Sequence, residues 1–145
     1  MLSRGSISKL VEVFLLLGFI HMAIGADDMS SYYNVYKTAK FNYPIEKDII
    51  SNLKSATPDD IKSGGFIKFK VTLYFDESKL QAEMSAKEDI IRHIIILAVS
   101  GFEASTLQSS SGKKELADFI VANVNAILTA GQVRGVAFGD FVIQS

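Results

Sequence analysis

The stretch "FIKFKVTLYF", residues 66–75, alternates between two sets of side chains along its whole length. Successive side chains of a β-strand point to opposite faces of the sheet, so this alternation predicts a strand with one buried and one solvated face. The apolar set is predicted to face the core, and the lysine-containing set to face outward. The first set is Ile67, Phe69, Val71, Leu73 and Phe75, and the second is Phe66, Lys68, Lys70, Thr72 and Tyr74.

Upstream of this strand, the segment "TAKFNYPIEKDIISNL" (residues 38–53) carries further apolar residues around Pro44. Proline cannot donate a ladder hydrogen bond and is confined to edges and bulges of a sheet. The segment is therefore predicted to form two short strands or one bent strand. The following "KSATPDDIKSGG" (residues 54–65) is rich in turn formers and is predicted to be a loop.

Downstream of the strand, "DESK" (residues 76–79) is expected to begin a helix that Asp76 or Ser78 caps. The helix becomes apolar nearly all round in "IIRHIIILAV" (residues 90–99), which indicates burial on more than one side. A buried strand is the alternative, but the helix-forming residues before it favour a helix that ends at Gly101. The apolar residues at helical spacing are Leu80, Met84, Ile91, Ile94 and Ala98.

A second helix is predicted after the short connector "FEASTLQ" (residues 102–108). Ser111 is expected to cap this helix, and Gly131 is expected to be the glycine that follows its C-terminus. The apolar face of the helix is predicted to consist of Leu116, Phe119, Ile120, Val124 and Ile127.

The final segment, "RGVAFGDFVIQS" (residues 134–145), is predicted to be a strand that returns to the sheet beside an early strand, since its neighbour in sequence is a helix. Both of its faces are largely apolar, which predicts a strand inside the sheet. The fold class is therefore α+β, a single domain of order β-β-β-α-α-β with two helices on one face of a mixed or antiparallel sheet. The two faces are Gly135, Ala137, Gly139, Phe141 and Ile143 against Val136, Phe138, Asp140 and Val142.

The N-terminal segment has a different character. Arg4 and Lys9 precede the apolar run "VFLLLGFIHMAIGA" (residues 13–26), which is shorter than the ~20 residues that span a bilayer. With small residues at Ala23 and Gly25, the pattern predicts a signal peptide, residues 1–25, cleaved between Gly25 and Ala26. A short N-terminal anchor and a buried cytosolic helix remain alternatives. Residues 26–37 are predicted to be a linker and residues 38–145 the folded domain.

Composition argues against several kinds of site. The chain has no cysteine and a net charge of −1, so thiolate chemistry and a basic stripe for nucleic acid are not expected. His93 lies among isoleucines, and the acidic pairs lie in loops or at solvated positions. No nucleophile elbow, phosphate loop or metal-ligand spacing is present in the sequence. The protein is therefore predicted not to be an enzyme and to hold no catalytic residue, cofactor or metal.

Three motifs follow one another along the predicted domain: "IISNL" (residues 49–53), "LQSSSGKKEL" (residues 107–116) and the closing "VAFGDFVIQ" (residues 136–144). Together they resemble motifs of the FliL family of flagellar basal body-associated proteins. The first is similar to the short strand before the family's loop, and the second to the start of its last helix, through Gly112 and Lys113. The closing motif matches the family at Phe138, Asp140, Phe141, Val142, Ile143 and Gln144. The resemblance covers residues 38–144, nearly the whole domain.

The resemblance implies a periplasmic domain at the flagellar basal body, close to the inner membrane. Such a domain would be similar to stomatin/prohibitin-type (SPFH-like) domains, would assemble into a ring, and would bind and support the stator units during motility. The candidate interfaces are the outer face of residues 66–75, namely Phe66, Lys68, Lys70, Thr72 and Tyr74, and the polar side of the last helix. A non-flagellar periplasmic adaptor, and a small hydrolase or lipid-binding protein, remain alternatives.

Overall fold

The structure is a computed structural model that describes residues 29–59 and 64–145. Thr38–Ser145 form one compact unit. A helix that includes residues 29–38 (α1) lies in the segment predicted as a linker. The predicted cleavage site at Gly25 and Ala26 lies outside the described residues. The remaining elements are β1 (Phe41–Pro44), β2 (Ile49–Asn52), β3 (Phe66–Phe75), α2 (Leu80–Ala86), α3 (Glu88–Ser100), α4 (Ala104–Gln108), α5 (Ser110–Asn125) and β4 (Val133–Gln144).

β3 is the central strand of a four-stranded antiparallel sheet. On one side, β2 pairs with its first half and β1 with its second half; on the other side, β4 pairs with it along almost its whole length. The α+β class and the split of the first segment into two short strands are confirmed. The predicted order was too simple, because four helices rather than two lie between β3 and β4.

The core lies between the inner face of the sheet and the helices. The five alternate apolar residues of β3 predicted to face the core are all buried, while the residues between them are exposed or half-buried. The period-2 pattern of β3 therefore gave the correct buried face. The helices close this face with Leu80, Met84, Ile91, Ile95, Leu107, Leu116, Ile120 and Val124, all fully buried.

The N-terminus of α5 is capped two residues earlier than predicted. Ser109 has an extended backbone, and its hydroxyl accepts a hydrogen bond from the Gly112 N–H at 3.0 Å. Ser111 lies inside the helix, where its own backbone is already helical, so it cannot be the capping residue. The prediction for Gly131 was also wrong, since α5 ends at Asn125 and Ala126 occupies the C-cap position.

Asp76 fastens strand ends together instead of capping a helix. The N-cap residue of α2 is Lys79, which makes no side-chain cap, so the prediction for Asp76 and Ser78 was wrong. The Asp76 carboxylate accepts hydrogen bonds from the Lys40 N–H at 3.1 Å and from Arg134 at 3.1 and 3.2 Å. These bonds lower the pKa of Asp76. The end of β3 is thereby tied to the chain before β1 and to the start of β4.

The loop between α5 and β4 is held by the Glu83 carboxylate. Glu83 accepts hydrogen bonds from the Thr129 N–H at 2.7 Å, the Thr129 hydroxyl at 2.9 Å and the Ala130 N–H at 2.7 Å. Lys87 bridges the Glu83 carboxylate and the Ile127 carbonyl, each at 2.7 Å. The predicted single helix is interrupted at this lysine, which separates α2 from α3. The Lys87 ammonium and the loop amides lower the pKa of Glu83 to about 2.

We expect the Glu83 contacts to make stability depend on pH. The folded-state pKa is about 2 and the ordinary value is 4.5, so the stabilisation is complete above pH 4.5 and is lost as the pH falls toward 2. Glu83→Gln should lower the melting temperature at neutral pH. The difference in melting temperature between this variant and the wild type should become smaller as the pH falls toward 2. Thermal unfolding followed by circular dichroism over this range measures it, with the exposed Glu115→Gln as the control. If the melting temperatures of Glu83→Gln and wild type fell by the same amount between pH 4.5 and 2, the Glu83 contacts would not be the cause of the pH dependence.

β4 is an edge strand, not the interior strand that its apolar faces predicted. It pairs with β3 alone in the sheet, as the prediction of an early-strand partner required. The inner face of β4 joins the core through Val136, Phe138, Phe141 and Ile143. Gly65 has φ of +76°, and a Cβ there would lie 2.2 Å from the Gln144 carbonyl oxygen. The left-handed glycine therefore lets the start of β3 approach the end of β4.

Deletion of Val136–Gln144 is expected to abolish cooperative unfolding rather than to lower stability slightly. The deletion removes the ladder along one whole side of β3 and uncovers Phe69. Chemical denaturation monitored by far-ultraviolet circular dichroism measures the outcome, with removal of Ser145 alone as the control. A truncated chain that melts like the full chain would show that the sheet does not need β4.

Candidate functional surface

A β-bulge in β4 decides which of its side chains face the core. Lys70 pairs with Gly139 and Lys68 with Val142, so two residues of β4, Asp140 and Phe141, lie opposite one residue of β3. Asp140 has φ of +47°, a left-handed conformation that aspartate tolerates better than most residues. The bulge reverses the alternation, and the two faces predicted for this strand were therefore wrong beyond Gly139.

Because of the reversal, Phe138 and Phe141 both lie on the core side, three positions apart. Their ring centroids are 5.5 and 5.4 Å from that of Phe69 and 5.4 Å from each other. The Lys113 ammonium lies 5.4 Å from the Phe141 centroid, within the range of a cation–π interaction. The motif at the start of α5 and the closing motif of the chain therefore meet in space.

Gly112 supports the same junction by its lack of a side chain. A Cβ at this position would lie 1.8 Å from the Thr106 carbonyl oxygen, so only glycine allows α4 and α5 to approach this closely. Lys113 also donates to the Gln108 carbonyl at 3.3 Å. Gly112 and Lys113 therefore shape the domain, whereas Asp140, Val142 and Gln144 of the closing motif are exposed.

The predicted interface residues of β3 share the outer face of the sheet. Phe66, Lys68 and Lys70 are exposed, and Thr72 and Tyr74 are half-buried. The Lys68 ammonium lies 3.3 Å from the Asp48 carboxylate and the Lys70 ammonium 3.0 Å from the Asp140 carboxylate. The hydrogen bond to Asp140 raises the pKa of Lys70. Both lysines are therefore ion-paired within the domain, and the face has little net charge here.

Three large apolar side chains form a group on this face, which we call the sheet patch: Ile50, Phe66 and Val142. They are 60%, 41% and 49% exposed, respectively. Ile50 and Val142 both pair with Lys68, one from each neighbouring strand, and Phe66 lies diagonally adjacent to both. Exposed apolar residues that are grouped rather than scattered indicate an interaction surface.

Sequence reasoning found Phe66 and the two lysines but missed the group to which they belong. Ile50 enters the sheet patch, and Asp48 pairs with Lys68, only because of the register between β2 and β3. No local pattern specifies that register. The adjacent Gly139 and Asp140 were the available signal for the bulge, since both residue types tolerate a left-handed backbone.

Within residues 29–59 and 64–145, no three His, Asp or Glu side chains are grouped so that they could hold a metal ion. The Tyr43 hydroxyl donates to the Glu88 carboxylate and joins β1 to the start of α3. Burial and the hydrogen bond to the Glu88 carboxylate raise the pKa of Tyr43.

Across residues 29–59 and 64–145, no helix has the length and hydropathy needed to cross a bilayer.

Comparison with known proteins gives two matches of the same kind. Residues 42–144 match the family described as "Flagellar basal body-associated protein FliL". The chain is 28% identical over 102 residues to "Flagellar protein FliL" of Aquifex aeolicus (strain VF5). That similarity covers 70% of this chain and 60% of the relative, so the chain spans less than two thirds of the relative's length.

We expect Asp140 to be needed for its backbone conformation more than for its charge. Asp140→Asn removes the ion pair with Lys70 but keeps a side chain that tolerates positive φ, so stability should change little. Asp140→Val places a β-branched residue in that conformation and should cost about 1–2 kcal/mol. Urea denaturation of both variants measures the difference. Equal losses in the two variants would mean that the charge is what matters.

Proposed function

We propose, because the chain belongs to the FliL family of flagellar basal body-associated proteins, that it binds the stator units of the flagellar motor and supports them while torque is generated. It acts by protein contact and makes or breaks no covalent bond. Swimming, and swarming under higher load, are the activities that depend on it.

The observation that carries this proposal is the sheet patch. Its three large apolar side chains lie on the sheet face opposite the core helices and surround the stem of Lys68. Asp48 and Asp140 already neutralise the flanking lysines. Grouped, exposed apolar side chains among ion-paired polar ones are typical of an interaction surface. The patch therefore suits contact with another folded surface.

We further propose that copies of the domain assemble into a ring. A ring requires a heterologous interface, in which one surface meets a different surface on the next copy. The sheet patch supplies the first surface, and the polar side of α5 supplies the second. The SPFH-like similarity that the sequence suggested belongs to this part of the proposal.

The proposed location is the periplasm or the periplasmic face of the inner membrane, next to the basal body. The expectation of a signal peptide in residues 1–25, or of a short anchor there, is part of this proposal. A contact protein of this kind must face the outer part of the stator, so export of residues 38–145 is required in either case.

A triple substitution of the sheet patch, Ile50→Thr with Phe66→Thr and Val142→Thr, is expected to impair motility. Threonine keeps the strand preference while removing the exposed apolar surface. A strain lacking the protein would be complemented with the variant, and swimming and swarming diameters would be measured. We expect diameters close to those of the uncomplemented strain, at unchanged protein level.

Ile90→Thr is the matched control, since Ile90 is 45% exposed on α3, outside the sheet. Its diameters should equal those of the wild type. If the deletion strain itself swims and swarms normally, the flagellar role is wrong, and the alternative of a non-flagellar periplasmic adaptor is favoured. If the deletion strain is impaired but the strain with the triple variant swims and swarms like the wild type, the sheet patch is not the interface.

A further inference from the structure

A second surface of different chemistry lies on the helix layer. Between α3, α4 and α5 runs a groove of about 530 Å³, lined by Leu97, Phe102 and Phe119 and by the charged residues Lys54, Glu103 and Glu115. Leu97 is 59% exposed and Phe119 is 50% exposed, although both lie on helices whose other sides form the core. We call this surface the helix groove; it shares no residue with the sheet patch.

We propose that the helix groove binds an amphipathic helix of a partner protein that carries lysine or arginine beside its apolar side chains. The inference goes beyond the proposed function, because it concerns a surface other than the sheet patch and specifies the chemistry of the partner segment. Its basis is the apolar part of the lining, Leu97, Phe102 and Phe119, which we call the apolar floor, combined with two carboxylates against one ammonium among the other lining residues.

The negative excess has two sources. Glu103 and Glu115 contribute two carboxylates against the single ammonium of Lys54. The C-terminus of the 13-residue helix α3 also lies at the groove, where Ala98 and Gly101 line it, and the last turn of α3 contains no basic residue. The C-terminus of a helix carries a partial negative charge that favours cations. A cationic side chain next to the apolar floor would complement both sources.

The apolar floor favours a helix over an extended segment as the occupant. An extended segment needs a strand edge for its backbone N–H and C=O groups, and none of the described residues that line the groove belongs to a strand. A helix satisfies these groups internally and presents apolar side chains at i, i+3 and i+4. Leu97 and Phe119 lie on neighbouring helices, so such side chains would insert between them.

Helix α5 and the sheet patch of a second copy of this chain fit the groove less well. The basic pair on α5 is already engaged, because Lys113 lies over Phe141 and Lys114 lies 2.7 Å from the Asp118 carboxylate. Lys68 and Lys70, the cations beside the sheet patch, are ion-paired as well. An anionic membrane surface also fits less well, since the carboxylates at the rim would repel it.

The test measures binding of two synthetic peptides to the chain as purified from cells. The first is an 18-residue helix-forming peptide with leucine on one face and lysine on the other, and the second has glutamate in place of every lysine. Fluorescence anisotropy of the labelled peptides gives the dissociation constants. We expect the lysine peptide to bind at least about tenfold more tightly, a difference that decreases at high salt.

Substitutions locate the binding site. Leu97→Gln with Phe119→Gln, and separately Glu103→Lys with Glu115→Lys, should each weaken binding of the lysine peptide about tenfold or more. The charge reversal leaves the apolar floor intact, so it tests the groove even if the first pair of changes impairs folding. Ile90→Gln, an equally exposed apolar change elsewhere on α3, should leave the affinity within about twofold of wild type.

Three results would overturn the inference. The first is equal affinity for the two peptides, or binding that the groove substitutions do not change. The second is concentration-dependent self-association, seen by analytical ultracentrifugation, that Leu97→Gln with Phe119→Gln abolishes, since the groove would then be an interface between copies. The third is binding of the wild-type chain to phosphatidylcholine vesicles together with loss of that binding in Leu97→Gln with Phe119→Gln. None of these measurements depends on motility, so this inference and the proposed function can fail independently.

Discussion

The pairing of β4 with β3 is the constraint on which the rest of the structure depends. β3 contacts every other strand of the sheet, but β1 and β2 each cover only four of its residues, whereas β4 covers nearly all of them. Two side-chain contacts hold the start of β4. Arg134 donates a hydrogen bond to Asp76, and Glu83 accepts one from Thr129 in the loop that precedes β4. β4 therefore completes a sheet whose other strands lie between residues 41 and 75. Pairing between strands this far apart in sequence has to offset the entropy cost of closing a long loop. The helices between the two strands contribute to this by packing into the same core.

The sequence alone predicted the structure correctly where a local pattern determines it. The alternation in residues 66–75 identified β3 and its buried face. The helix-forming residues before the isoleucine run favoured a helix over a strand there, and this helix is α3. The sequence was insufficient where structure depends on a partner distant in sequence. In the sequence, Asp140 is an ordinary position of an alternating strand, on the same face as Val136 and Phe138, yet its left-handed backbone reverses the alternation after it. Likewise, Asp76 has the right type and position for a helix cap, but the Lys40 N–H and Arg134 use its carboxylate instead.

The candidate surface shows the same division. Phe66 and the two lysines could be placed on an outer face by periodicity alone. Ile50 and Val142 join them only through the register of three strands, and the lysines lose their apparent net charge only when Asp48 and Asp140 are brought to them. A basic strand face in the sequence is thus an ion-paired, partly apolar face in the structure. Interfaces of this kind cannot be judged from the charges of one segment, because the compensating carboxylates belong to other segments.

The sheet patch and the helix groove differ in a way that bears on how copies could associate. If two copies met symmetrically through their helix grooves, Glu103 and Glu115 of each would face the same carboxylates of the other, with one Lys54 per copy to offset them. Like charges brought together without sufficient partners oppose association. The sheet patch carries no such excess, because its lysines are paired within the domain. A contact between copies would therefore be better served by the sheet patch, whereas the unbalanced charge of the helix groove favours a partner that differs from this chain.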